Sequence, residues 1–182
     1  SYVGDTACLV CKAGHYCPDA STTGANHDST YICPAGYLCP AGLGVDPTSA
    51  GDTYKCPKGY YCLAGTTAAV ACLSGTYNDQ LAGVDATACQ TTPQGYYTGD
   101  AAIEYTSTPC NPGYYCPAGS TSGNEVACPV ATQRKTSGAG AVGDCETCDA
   151  GYYCGEATSE PTICTQGSYC VAGVETPTPC PI

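Results

Sequence analysis

Eighteen of the 182 residues are cysteine, and this one property decides how such a chain can hold a shape. Leu, Ile and Val together number 20, and Phe, Trp and Met are absent, so the side chains cannot build an apolar interior large enough to offset chain entropy. With a formal net charge of −11, the rest of the composition would suit a disordered chain. Cysteine at this density reverses that expectation, because it marks a disulfide scaffold in which cross-links take the place of a core. Nine bridges closing short loops would each stabilise by about 2 to 3 kcal/mol in the chain-entropy account. An even number of cysteines also implies an oxidising compartment, extracellular or at the cell surface, and argues against a cytosolic enzyme.

The cysteines are arranged periodically. A motif of Cys, two residues, Gly, two residues, Cys is complete six times, at Cys11–Cys17, Cys33–Cys39, Cys56–Cys62, Cys110–Cys116, Cys148–Cys154 and Cys164–Cys170. Degenerate copies fill much of the remainder: Cys72 to Asn78 keeps the first cysteine, Thr92 to Thr98 keeps neither, and Cys128 to Arg134 has lost the Gly and Tyr. About nine units of 16–23 residues make the chain a single tandem array over 1–182 rather than one compact ball.

A longer period is superimposed, since 56–109 aligns with 110–163 after a two-residue insertion. In that alignment Thr92 and Thr98 fall on Cys148 and Cys154, so both cysteines of one motif are replaced together. Joint loss implies a bonded pair, because an orphaned thiol is a liability in a secreted protein. The economical connectivity lets each complete motif close on itself (11–17, 33–39, 56–62, 110–116, 148–154, 164–170), with Cys72 joined to Cys89 and Cys128 to Cys145. A sequential scheme (8–11, 17–33, 39–56 and onward) also closes nine bridges, and spacing alone does not choose between them. Under the first scheme Cys8 and Cys180 are left over. Cys180-Pro181-Ile182 resembles the opening of a unit and Tyr2 to Cys8 resembles the close of one, like Gly83 to Cys89, so the array is expected to carry incomplete units at 1–10 and 180–182. The start at Ser1, without Met, points to a processed product or a piece of something longer.

The recurrent glycines (Gly14, Gly36, Gly59, Gly75, Gly95, Gly113, Gly151, Gly167) are expected at turn positions with positive φ. The tyrosines that follow them supply the largest apolar areas and are expected to cover the bridges. Gly and Pro number 23 and 14, and helical periodicity is missing. The expected fold is therefore a set of small disulfide-rich tandem repeats forming an elongated, mostly irregular rod with short β-hairpins and little helix. Period-two fragments at Asp52–Cys56 and Ala102–Thr106 are expected as brief strands. The Ser- and Thr-rich spacers offer Thr22, Thr23, Thr48, Ser120, Thr121, Thr176 and Thr178 as candidate O-glycan acceptors, the plainer alternative being soluble turn residues. Asn26, Asn78, Asn111 and Asn124 lack the Ser or Thr that N-glycosylation requires.

Catalytic chemistry finds little to work with. The two histidines are His15, where other motifs carry Tyr, and His27, in a polar spacer. The Cys-x-x-Cys pairs Cys8/Cys11 and Cys145/Cys148 are explained by one unit abutting the next; zinc would need free thiolates and a redox site a βαβ setting. Ten Asp and six Glu keep calcium in view, but no acidic cluster has loop-type spacing, so no cofactor is expected and the acidity is read as solvated surface. Five basic residues against sixteen acidic ones exclude a phosphate-tracking surface, hence no nucleic-acid partner. The longest apolar run, Ala68 to Leu73, excludes a transmembrane helix in this segment.

In its Cys-x-x-Gly-x-Tyr units the chain resembles the cysteine-rich repeats of ephrin-receptor-like and growth-factor-receptor-like ectodomains, and more distantly tumour-necrosis-factor-receptor modules. Cys-Pro-Ala-Gly-Tyr-Leu-Cys-Pro-Ala-Gly at 33–42 and Cys-Asn-Pro-Gly-Tyr-Tyr-Cys-Pro-Ala-Gly at 110–119 look especially like repeats of surface and extracellular proteins of unicellular eukaryotes. Such a resemblance implies architecture more than role. The expected function is a non-enzymatic building block of an extracellular fibre or surface filament, whose partners are copies of itself or adjoining repeats, end to end, together with glycans; Cys180 of one copy and Cys8 of the next are the candidate inter-protomer joint. The alternative is a ligand- or glycan-binding cysteine-rich ectodomain or surface antigen.

Overall fold

A computed structural model of the chain describes residues 11–18 and 31–181. Cys8, Thr22, Thr23, His27 and the incomplete unit at 1–10 lie outside the described residues. Eight disulfides are present, joining 11–17, 33–39, 56–62, 72–89, 110–116, 128–145, 148–154 and 164–170, with Cα–Cα separations between 5.5 and 6.1 Å. They follow the self-closing connectivity, not the sequential one.

Regular structure consists of two-residue strands. In chain order they are β1 Tyr60–Tyr61, β2 Val70–Ala71, β3 Thr76–Tyr77, β4 Gln90–Thr91, β5 Tyr114–Tyr115, β6 Val126–Ala127, β7 Thr132–Gln133, β8 Glu146–Thr147, β9 Tyr152–Tyr153, β10 Thr162–Ile163, β11 Ser168–Tyr169 and β12 Thr178–Pro179. Each odd-numbered strand pairs with the even-numbered one that follows it. Tyr114 faces Ala127 and Tyr115 faces Val126, for example, in an antiparallel ladder. The first strand of each pair is the fifth and sixth position of a motif, and the second is the dipeptide just before the next motif opens. His15 with Ile32, Tyr37 with Lys55 and Tyr96 with Pro109 are the single-bridge versions of the same hairpin. Each repeat is therefore one closed loop plus one return strand, too small to bury an interior alone.

The two windows expected as strands each keep a single bridge residue, Lys55 opposite Tyr37 and Ala102 opposite Tyr77, and are otherwise turns and bends. Lys55 N–H donates to the Asp52 carbonyl (3.2 Å) and Thr108 N–H to the Tyr105 carbonyl (3.0 Å). Asp52 and Glu104 explain the difference, for Asp52 pairs with the Lys55 ammonium at 2.8 Å and Glu104 accepts from the Thr106 and Ser107 hydroxyls. Such local side-chain bonds compete with strand pairing. Single-turn 3-10 helices occupy Pro47–Ser49, Ala86–Ala88 and Val142–Asp144. The first two begin at Asp46 and Asp85, whose carboxylates accept from the N–H two residues on. The order β1, β2, β3, 3-10 turn, β4 recurs as β5, β6, β7, 3-10 turn, β8, which is the longer period seen in the sequence.

Burial concentrates at the first, fourth and seventh positions of a motif. In the motifs opening at 33, 56, 72, 92 and 110 all three are buried. Tyrosines at the intervening positions are half-buried or exposed, and around Cys33, Cys39 and Leu43 they do pack on the bridge, as Tyr16, Tyr37 and Tyr54. By contact the chain forms two compact units, Ser1–Cys72 with Asn78–Gln90, and Leu73–Tyr77 with Thr91–Ile182.

Candidate functional site

Within each unit, main-chain hydrogen bonds join one repeat to the next in a fixed pattern. At the junction of the motifs opening at 110 and 128, Cys128 N–H donates to Gly113 O (2.9 Å) and Gly113 N–H to Arg134 O (2.8 Å). Cys116 N–H donates to Ala139 O (2.9 Å), and Gly138 N–H to Cys110 O (2.8 Å). The first two bonds recur at every junction from the first motif to the ninth, for instance Cys33 N–H to Gly14 O and Gly151 N–H to Cys170 O, both 2.9 Å. The motif glycine thus donates forward and accepts from the next opening residue, so both of its main-chain polar groups are paired.

All eight motif glycines have φ between +81° and +87°. Substitution meets a second obstacle beyond backbone strain: a Cβ on Gly75 would lie 2.2 Å from the Gly119 carbonyl oxygen, and one on Gly113 2.2 Å from that of Ala157. These carbonyls belong to a second left-handed turn, after the motif's close, two repeats further along. The chain had a second signal here that was missed, the Pro-Ala-Gly after Cys39 and Cys116, because Ala82, Ala101 and Ala157 take the left-handed role in other copies (φ +60°, +55°, +56°). Ala131 (φ +67°) stands at the motif-glycine position of the seventh copy.

Gly14, Gly36, Gly59, Gly75, Gly95 and Gly113 are buried, whereas Gly151 and Gly167 are exposed and have open space where a Cβ would point. This is the consequence of a cover that comes from two repeats ahead. Cys180 N–H donates to Gly167 O at 2.9 Å, so Cys180 occupies the opening position of a further motif. Among the described residues it is the free cysteine, and it is exposed.

Where a motif lacks its closing bridge, other contacts fill the place. Thr92 and Thr98 are buried, and their hydroxyl oxygens are 2.6 Å apart. The Thr98 hydroxyl donates to the Thr76 carbonyl (3.2 Å), so it accepts from Thr92. Asn78, also buried, donates from Nδ2 to the Tyr60 carbonyl (2.9 Å) and accepts from Gln80 N–H (3.0 Å). In the seventh copy the buried side chain is Gln133, whose Nε2 donates to Asp149 at 3.1 Å. The opening cysteines of the fourth and seventh copies reach instead to Cys89 and Cys145.

Several carboxylates are held below their ordinary value by hydrogen bonds: Asp85 by the Thr87 hydroxyl and N–H, Asp100 by the Ser74 hydroxyl and N–H, Glu104 by the Ser107 and Thr106 hydroxyls, and Asp144 by the Gly140 and Ala141 N–H groups. Asp85, Glu104 and Asp144 each clasp their own turn, whereas Asp100 reaches across to Ser74, 26 residues earlier. No group of three or more His, Cys, Asp or Glu is placed to hold a metal ion among the described residues. His15 is half-buried, its Nδ1 3.4 Å from the Ala13 carbonyl, in the hairpin position of the motif tyrosines. Of the candidate glycan acceptors, Thr48, Thr121, Thr176 and Thr178 are exposed. Ser120 is not an accessible acceptor: it is 3% exposed and its hydroxyl donates to the Pro117 carbonyl (2.7 Å). A shallow concavity of about 500 Å³ lies in the first unit, lined by Asn78, Leu81, Val84, Thr87 and Gln90 among others. Among the described residues no helix is long and apolar enough to cross a membrane. No protein-family model matches the chain, and no curated protein matches it significantly.

Proposed function

We propose that the protein is a non-enzymatic building block of an extracellular fibre or surface filament, continued head to tail either by another copy or by further repeats of one polypeptide. The observation that carries this reading is the main-chain seam, in which the opening N–H of each repeat donates to the fourth-residue carbonyl of the one before, at every junction from the first motif to the ninth. Because the seam is the same at each junction, one repeat presents the main-chain partners that the next one uses. Contacts of that kind are heterologous, and repeated without closure they generate a filament rather than a ring. Eight disulfides support an oxidising, extracellular setting. The exposed threonines of the spacers supply O-glycan acceptors there.

Cys180 suits the joint in register as well as in exposure. Cys8 stands three residues before Cys11, as Cys89 stands three before Thr92 and Cys145 three before Cys148. Those two cysteines take the opening cysteine of a motif that lacks its own closing partner. A bond from Cys180 of one copy to Cys8 of the next repeats that pairing across copies, two thiols yielding two electrons and two protons to the oxidants of the secretory compartment. Electrophoresis of intact material without and with reductant, alongside imaging of the same sample, tests the proposal. Filaments, with a ladder or a very large species that collapses on reduction, are expected for joined copies; filaments from a long species unchanged by reduction are expected for one polypeptide. Isolated small monomers in both lanes overturn it. The second reading, a ligand- or glycan-binding ectodomain, is favoured by the concavity beside the exposed Leu81 and Val84, and predicts those monomers.

A further inference from the structure

Tyrosine is present 16 times in this chain, and Phe, Trp and Met are absent. One-electron oxidation of a protein settles on Trp, Tyr, Met or free thiol, and here every route except the thiol ends on Tyr. Among the described residues Cys180 is the free thiol, the remaining cysteines being bridged. Oxidising equivalents in an oxidising compartment therefore collect on phenols.

Three of those phenols are packed together. The rings of Tyr77 and Tyr105 have centroids 5.0 Å apart with planes at 59°, and those of Tyr96 and Tyr105 are 5.1 Å apart at 73°. At such separations ring edges are in contact. All three residues are half-buried, so the rings are held by packing yet open to small reagents. Tyr77 lies in β3, Tyr96 at the fifth position of the motif that opens at Thr92, and Tyr105 in the spacer after it. The stretch from 90 to 109 contains no cysteine, and its motif is held by the Thr92–Thr98 hydroxyl contact instead of a bridge. The cluster thus ties together the part of the array that sulfur leaves uncrosslinked. Tyr16 and Tyr31, at 5.4 Å and 38°, also touch, but there a pair lacks the third ring.

We propose that Tyr105 is the centre of an oxidative cross-linking site, forming a dityrosine bond to Tyr77 or Tyr96 under a peroxidase-class, one-electron phenol oxidant using hydrogen peroxide. Each of two phenols loses one electron and one proton to give a phenoxyl radical. The two radicals join through ring carbons ortho to the hydroxyls, and each of these carbons then releases its hydrogen to its own phenoxyl oxygen, restoring the aromatic rings. One C–C bond is formed, two phenols lose two hydrogens in total, and one peroxide is reduced to two waters. Because Tyr105 touches both neighbours, a radical on any of the three rings already has a partner in contact, and the coupling is unimolecular rather than a diffusive encounter between copies.

The test uses the whole chain at low concentration, with free thiols alkylated, oxidised by photoactivated ruthenium tris-bipyridyl with persulfate, reagents small enough to need no docking surface. The expected product is a monomer lighter by two hydrogens with blue dityrosine fluorescence, whose digest contains Tyr105 joined to Tyr77 or Tyr96. Tyr105→Phe keeps the ring and its packing but removes the phenol, and should lower the intramolecular yield at least about tenfold, in keeping with the effective molarity of pre-oriented groups. Tyr77→Phe and Tyr96→Phe should each leave one coupled product, and the double variant none at Tyr105. Cross-links that omit Tyr105, an unchanged yield in Tyr105→Phe, or an absence of dityrosine overturns the proposal.

Discussion

Replacing Thr92 and Thr98 together by cysteine should install a ninth bridge and stiffen the one motif that lost both of its cysteines. The main-chain frame for it is present: Thr92 N–H donates to Gly75 O (2.9 Å) and Gly95 N–H to Cys116 O (2.8 Å), as in the bridged copies. The threonine hydroxyl oxygens are already 2.6 Å apart. Closing a seven-residue loop removes about 2 kcal/mol of unfolded-state entropy, and the hydroxyl contact given up is worth about 1 kcal/mol. The net gain is about 1 kcal/mol, or roughly a fivefold drop in the local opening constant. Hydrogen exchange of peptides spanning 90–109 measures it directly, and the slowing should disappear on mild reduction of the variant. A bridge that fails to form on oxidative refolding refutes the claim that this motif shares the frame of its bridged neighbours. One that forms but accelerates exchange refutes the entropic estimate.

Ala131→Gly relieves a left-handed residue with a Cβ (φ +67°), a strain of about 1 kcal/mol partly offset by the greater freedom of unfolded glycine, so the melting temperature should rise by about 2 °C; a fall would show that the alanine methyl makes a contact worth more than the strain. Asp100 sits below its ordinary value because the Ser74 hydroxyl and N–H bind its charged form. Since the folded value is the lower one, this clasp stabilises above the unfolded value near 4 and is lost as pH falls through the folded one. Asp100→Asn should therefore melt below the parent at neutral pH and converge with it in acid, and a gap that stays constant across pH counts against the clasp.

The self-closing disulfide pairing had a signal in the chain, though the sequential scheme stayed open, because cysteine replacement is visible at a distance: Thr92 and Thr98 changed together, and Cys72 with Cys89 repeated as Cys128 with Cys145. Positive φ at Gly36 or Gly113 was legible for a similar reason, since one residue type supplies it cheaply. The second left-handed turn was not, because alanine holds it at 82, 101 and 157. The bonds between repeats were invisible too, as Cys128 N–H to Gly113 O involves no side chain at all. Strands were misplaced at Asp52–Cys56 and Ala102–Thr106 because alternation over five residues is a weaker instruction than an acidic side chain bonding its own turn. Ser120 read as an open spacer residue because its partner is far away in the chain: Thr98, 22 positions earlier, donates its N–H to the Ser120 carbonyl at 3.2 Å.

Neighbouring repeats meet through peptide groups, which every residue type except proline carries in full. The outward positions of a motif can therefore drift without any compensating change next door, and whole copies can be gained, lost or exchanged by unequal crossing-over while the seam still fits. Lys-Ala at 12–13, Pro-Lys at 57–58 and Thr-Gln at 165–166, all exposed, show one chain already tolerating that freedom. Length, in such a lineage, becomes a trait selection can tune by counting.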